Sequence, residues 1–170
     1  MSDLTRLDHR LDVQALTCRA VIETPKGRRG KLAYDPQSGA FELKRMLPDG
    51  MSFPLDFGFV PGTRGQDGDP LDILVLGDEP SAPGTLLAVR LIGLIEAEQS
   101  EDGLTLRNDR ILAVAAVSHL FAKVHATGDL DPAFLKNLTA FWENYDALRG
   151  VAFTVLAVRD GAAAARVIAG

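Results

Sequence analysis

The chain lacks a second cysteine, so Cys18 has no internal disulfide partner. A lone thiol agrees with a reducing compartment, and Cys18 reads as a small, half-buried apolar residue. No apolar run approaches the roughly 18 residues that a membrane span requires, and no membrane partner is expected. The opening stretch, residues 1–10, is polar and carries both signs of charge. It has no apolar core of the secretory kind, so a cytoplasmic location is the expectation. Nor is there a basic patch long enough to neutralise a nucleic-acid backbone. Lys26, Arg28, Arg29 and Lys31 form the one basic cluster, and beside Gly27 and Gly30 it fits a solvated loop as well as an anion-binding segment. Those glycines are not followed by the Gly-Lys-Ser/Thr of a phosphate-binding loop. His9, His119 and His125 match no metal-ligand spacing, and Ser81, Ser118 and Cys18 lack a nucleophile's setting. Internal repeats and low-complexity linkers are also missing, so 170 residues read as a single domain, 1–170.

What is present is a localised acidity. The net charge is −5, and residues 61–110 alone carry a balance of −6. Around them the pattern is mostly that of strands. Residues 17–23, 31–35 and 40–45 read as strands, the last two joined by the turn Asp35-Pro36-Gln37-Ser38-Gly39. Residues 46–59 show Gly and Pro punctuation with aromatics. Ile73–Leu76 is a short buried strand, and Thr85–Ala97 is β-rich with a bend at Gly93. Leu104–Arg107 and Ile111–Val117 flank an Asn108-Asp109 turn and suggest a hairpin. The helical signal comes late. Asp131 and Pro132 supply a cap and first position, and Phe134, Leu135, Leu138, Phe141, Trp142, Tyr145 and Leu148 form one apolar stripe up to Gly150. A strand over 151–158 and a short helix over 161–169 follow. The class is α+β around a small barrel.

The most specific local feature is Asp67-Gly68-Asp69-Pro70-Leu71-Asp72, set directly before the apolar Ile-Leu-Val-Leu. Three carboxylates on one stiff turn repel one another unless a cation intervenes. Hard divalent ions take such oxygen ligands, and Gly68 and Pro70 can pre-aim them. The bland alternative is a polar turn with acidic caps. An EF-hand fits poorly, because the twelfth position from Asp67 is Asp78 rather than Glu and strand-like residues intervene.

This segment resembles the signature of the soluble (family I) inorganic pyrophosphatases. Val21-Ile22-Glu23-Thr24-Pro25, Lys31 to Asp35, Arg45, Met51 to Phe59, Asn108 to Val114 and Phe141-Trp-Glu-Asn-Tyr145 resemble further family segments in the same order, covering about residues 18–158. The resemblance implies a five-stranded barrel of the oligonucleotide-binding type with flanking helices. It also implies an acidic cavity using Mg²⁺, or Mn²⁺, to hydrolyse pyrophosphate. By position, Asp67, Asp72 and Asn108 would hold metal and Asp69 would orient or deprotonate the attacking water. Lys31, Arg45, Arg110 and Tyr145 would bind phosphate. Glu23 and Phe57 would support them from behind. The family is commonly oligomeric, so an assembly of identical subunits is expected.

The departures fall at functional positions. Ala33 stands where the family has a metal-binding Glu, and Phe53 and Phe57 where it has Tyr. Asn108 replaces a bridging Asp, Arg110 a Lys, and Asp146 the phosphate-binding Lys after Tyr145. A further acidic position falls near Gln99, with Glu98, Glu101 and Asp102 as substitutes if the loop shifts. Asp109 would replace the lost carboxylate only against strand alternation. These changes imply a reduced site. It would hydrolyse pyrophosphate poorly, act on another phosphate compound, or bind metal or phosphate without catalysis.

Overall fold

The computed structural model describes residues 2–170. Among these, nine strands and two α-helices follow in order: β1 (Thr17–Thr24), β2 (Gly30–Asp35), β3 (Ala40–Met46), β4 (Asp56–Phe59), β5 (Asp72–Leu76), β6 (Leu86–Glu101), β7 (Leu104–Arg107), β8 (Arg110–Ala115), α1 (Pro132–Ala147), β9 (Ala152–Asp160) and α2 (Gly161–Ala169). β1 pairs with β4, β4 with β5, β5 with β8, β8 with β6, and β6 returns to β1, so five strands close into a ring. Closure leaves these strands without a free edge, as the expected five-stranded barrel requires. β2 and β3 form a separate antiparallel hairpin.

One expectation is corrected, and one strand went unread. Residues 104–107 and 111–117 do not form a hairpin. β7 folds back on β6 through the turn at Asp102 and Gly103, whereas β8 runs parallel to β5 and antiparallel to β6. The positive φ angles of Asp102 and Gly103, 50° and 78°, make the reversal there rather than at Asn108-Asp109. The strand β4, hidden among the aromatics and glycines of 46–59, also escaped the sequence pattern. Its Gly58 shows why a glycine sits inside a strand. A Cβ there would lie 1.9 Å from the Val21 carbonyl oxygen of β1.

β6 is 16 residues long and serves two structures. Its first part belongs to the ring, and its second carries β7 and β9 on either side. The break between these roles is the register shift at Gly93, where a Cβ would meet Thr127 Cγ2 at 2.5 Å. The ring strands bury both faces, which explains their unbroken apolar runs. Ile73 and Val75 join a cluster with α2, while Leu74 and Leu76 join one with α1. Cys18 lies in the first cluster, 2% exposed, deeper than its sequence context suggests. Burial raises its thiol pKa to about 12.

α1 starts as the sequence predicts, with the Asp131 carboxylate accepting from Ala133 N at 2.9 Å and Pro132 first in the helix. It buries Leu138, Trp142, Tyr145 and Asp146, while Leu148 at its end is exposed. Gly150, with φ 73°, ends the turn that follows.

Candidate active site

The topology brings distant residues to one end of the ring. Asp72 opens β5 and Arg110 opens β8, and these are register partners in the parallel pair. Lys31 and Arg45 are register partners across the β2–β3 hairpin. Like charges side by side cost energy unless opposite charges face them, and here Glu23 and Asp72 do so. The four meet in a cavity of about 440 Å³. All ten residues singled out from the sequence line it: Glu23, Lys31, Arg45, Phe57, Asp67, Asp69, Asp72, Asn108, Arg110 and Tyr145. Asp109 does not. Its carboxylate turns away to accept from Ala97 N at 3.0 Å and from Arg107, as strand alternation predicts.

One wall is acidic and under-satisfied. Asp67 Oδ1 accepts from Asp69 N at 3.0 Å, which shapes the turn. Burial, then the charge of Asp67, holds the Asp69 carboxyl above the usual range. Burial does the same for Asp72, opposed by Arg110 and Lys31 and reinforced by Asp67 and Asp69. Glu23 is pushed up to about 7, chiefly by burial, although Lys31 and a hydrogen bond from Tyr34 N at 2.8 Å pull it down. Lys31 is lowered to about 8 for the same first reason. Its ammonium stands 3.5 Å from the centroid of Phe57, so that phenyl ring supports the lysine by a cation–π contact.

A second group of lining residues, beginning at Arg110 beside Asp72, neutralises itself. Arg110 Nη1 donates to Asp72 Oδ2 at 2.8 Å and to Asn108 Oδ1 at 2.6 Å. Asn108 Nδ2 donates to Gln99 Oε1 at 2.7 Å, and Gln99 Nε2 to Asp146 Oδ2 at 2.8 Å. Arg149 Nη1 closes the chain on Asp146 Oδ1 at 2.9 Å. The acid at 146, read from the sequence as a charge reversal facing phosphate, is fully buried and already paired. The cation reappears three residues later, on Arg149, which also lines the cavity. Sequence reasoning missed Arg149. The signal available was its i,i+3 spacing from Asp146 at a helix end. Gln99 was noticed only as a missing acid, and its role as a bridging amide was not visible. Trp142, read as core, is core and also floors the cavity, with the Arg110 guanidinium 4.8 Å from its ring.

The donors along Asp67, Asp69 and Asp72 fit a hard divalent cation in kind. They are carboxylate oxygens whose mutual repulsion a cation would relieve. Among the described residues no three acid side chains converge on one point. A cation would therefore be held by one or two carboxylates with water completing its shell, as Mg²⁺ tolerates. The fit does not extend to the far wall. Ala33 offers no ligand, and both ends of the Asn108 amide are engaged.

A closed five-strand ring carrying carboxylates, a lysine and guanidiniums in one cavity defines a class of protein with charges of both signs at one site. The comparisons with known proteins narrow this class. Residues 20–170 match the family described as inorganic pyrophosphatase. The inorganic pyrophosphatase of Thermus thermophilus is 38% identical over 128 residues, 75% of this chain and 71% of the relative. That of Methanosarcina acetivorans is 36% identical over 130 residues, 76% of this chain and 75% of the relative. Among solved structures, an inorganic pyrophosphatase from Thermus thermophilus superposes with a TM-score of 0.89 at 33% identity, covering 99% of this chain and 95% of the other. One from Neisseria gonorrhoeae gives 0.88 at 27% identity, covering 98% and 95%. The chain belongs to the inorganic pyrophosphatase family.

Proposed function

We propose that the protein hydrolyses inorganic pyrophosphate to two phosphates, with Mg²⁺ or Mn²⁺ held by Asp67 and Asp72 and Asp69 left free for the water. The observation that carries this reading is the single cavity in which those acids face Lys31, Arg45 and Arg110. When bound, the metal supplies charge neutralisation on phosphate oxygens and a lowered pKa for water. The residues of the chain do the rest. Asp69, its pKa raised by burial and by the charge of Asp67, would accept a proton from the attacking water. Lys31 and Arg45 approach the substrate as neighbouring cations. Tyr145, its phenol pKa raised chiefly by burial, stays protonated near neutral pH and serves as a hydrogen-bond donor. Arg110 keeps Asp72 in place and presents a fixed positive charge. These contacts act on a developing phosphoryl charge from preset positions.

The test is phosphate release from pyrophosphate with Mg²⁺ or Mn²⁺, for wild type and Asp69→Asn. The expected loss in the variant is about 10²- to 10⁴-fold, the usual worth of a general base. Release that is equal in both removes Asp69 from its role. Release from an organic phosphoanhydride alone transfers the reading to that substrate, and no release from any phosphate compound leaves a binding protein.

A further inference from the structure

The buried acid on α1 has no use in the reading above. Asp146 is fully buried, on the helix face that packs against the aromatic cluster. Placing a carboxylate there is costly unless both oxygens are satisfied. They are, by one amide and one guanidinium, and no other hydrogen bond reaches its carboxylate among the described residues. That arrangement turns a cost into an anchor. Arg149 lies in the turn after α1, where a long side chain would otherwise sample many rotamers. Asp146 takes only its Nη1. Nε and Nη2 donate no hydrogen bond among the described residues, and the side chain lines the cavity. The ring of Tyr145 has the Arg149 guanidinium 5.8 Å from its centroid and that of Arg45 also at 5.8 Å. The phenol and two guanidiniums therefore form one donor cluster in the cavity that Asp67 and Asp69 also line.

We propose that Arg149, together with Arg45 and Tyr145, binds the terminal phosphoryl group of the substrate, and that Asp146 is a positioning residue that aims Arg149. This rests on the phosphoanhydride reading and adds to it the cation that the acid at 146 seemed to remove. A guanidinium held at one Nη keeps a second edge free, and that edge matches two oxygens of an unsubstituted phosphoryl end. Gln99 and Asn108 continue the anchor to Arg110, so both arginines are fixed by one chain of hydrogen bonds.

The experiment combines binding of methylenediphosphonate by calorimetry, with and without Mg²⁺, and steady-state hydrolysis of pyrophosphate. Arg149→Ala should weaken analogue binding and raise KM by about 10- to 100-fold, the worth of one hydrogen bond to a charged group, with kcat nearly unchanged. Arg149→Lys should recover part of the loss. Asp146→Asn should raise KM in the same way. Its effect should vanish in the Arg149→Ala background, because a residue that acts only through another has nothing left to aim. Unchanged binding and KM in Arg149→Ala overturn the proposal, and so do losses that add in the double variant. If Asp146→Asn does not fold, the two Arg149 variants, in an exposed turn, decide the matter alone. If wild type hydrolyses no pyrophosphate but Arg149→Ala still loses analogue affinity, the reaction is wrong and the phosphoryl subsite stands.

Discussion

The two walls of the cavity solve the problem of buried charge in opposite ways. On the side of Asp69 and Asp72, carboxyl pKa values are pushed up by burial and by neighbouring acids. On the other side, Arg110, Asn108, Gln99, Asp146 and Arg149 pair with one another from end to end. Lys31 and Arg110 offset part of the charge of Glu23 and Asp72, and an external cation would relieve the repulsion that Asp67 and Asp69 add. The side that has supplied its own positive charge is indifferent to it. For the proposed hydrolysis, the contrast would assign the metal to the acids and phosphate binding to the arginines.

The largest effect should come from breaking the hinge between the walls. Arg110→Met leaves Asp72 and Asn108 without that donor; because the Asp72 side chain is 21% exposed and also faces Lys31, the loss should fall at the low end for a broken buried pair, about 3 kcal/mol. Urea unfolding at neutral pH should show that loss, and an unchanged midpoint would mean that the pair is not balanced as the geometry indicates. Next, Mg²⁺ should stabilise the wild type by about 2.7 kcal/mol at a hundredfold excess over its Kd. The gain should shrink in Asp67→Asn and Asp72→Asn but persist in Gln99→Leu. Equal gains in all of them would erase the distinction between the walls.

A smaller effect concerns pH in metal-free protein. Glu23 is raised from 4.5 to about 7, so the folded state holds a proton in that window which the unfolded chain has released. Its contribution is complete below pH 4.5 and is lost as pH rises through about 7. Glu23→Gln should flatten that part of the melting-temperature profile, and a parallel profile would assign the slope to other groups. The smallest effect belongs to Trp142→Phe. The indole Nε1 is buried without a partner among the described residues, so removing it relieves an unmet donor while losing part of a ring beneath Arg110. The net change in stability should stay below about 1.5 kcal/mol.

Much of the fold was legible because its signals are local. The cap at Asp131, the stripe of α1 and the run Ile73–Leu76 each follow from spacing along a few residues. β4 was not legible, since Gly58 owes its place to the backbone of β1 rather than to any turn of its own. The pairing of β7 was misread because Asn108-Asp109 has turn chemistry, yet the reversal needed positive φ and used Asp102 and Gly103. All ten expected residues line the cavity, but their partners could not be listed in advance. Asp146 looked like a charge lost to phosphate, and Gln99 looked like a gap.

The order of residues alone determined the acidic turn before β5, the late helix and the likeness to a family, because neighbours in the chain are held at covalent distances. Tertiary structure decided which charges meet. Arg110 reaches Asp72 across 38 residues and Gln99 reaches Asp146 across 47. Contacts that far apart depend on strand register and ring closure. A one-residue slip would turn Arg110 and Gln99 away from the cavity.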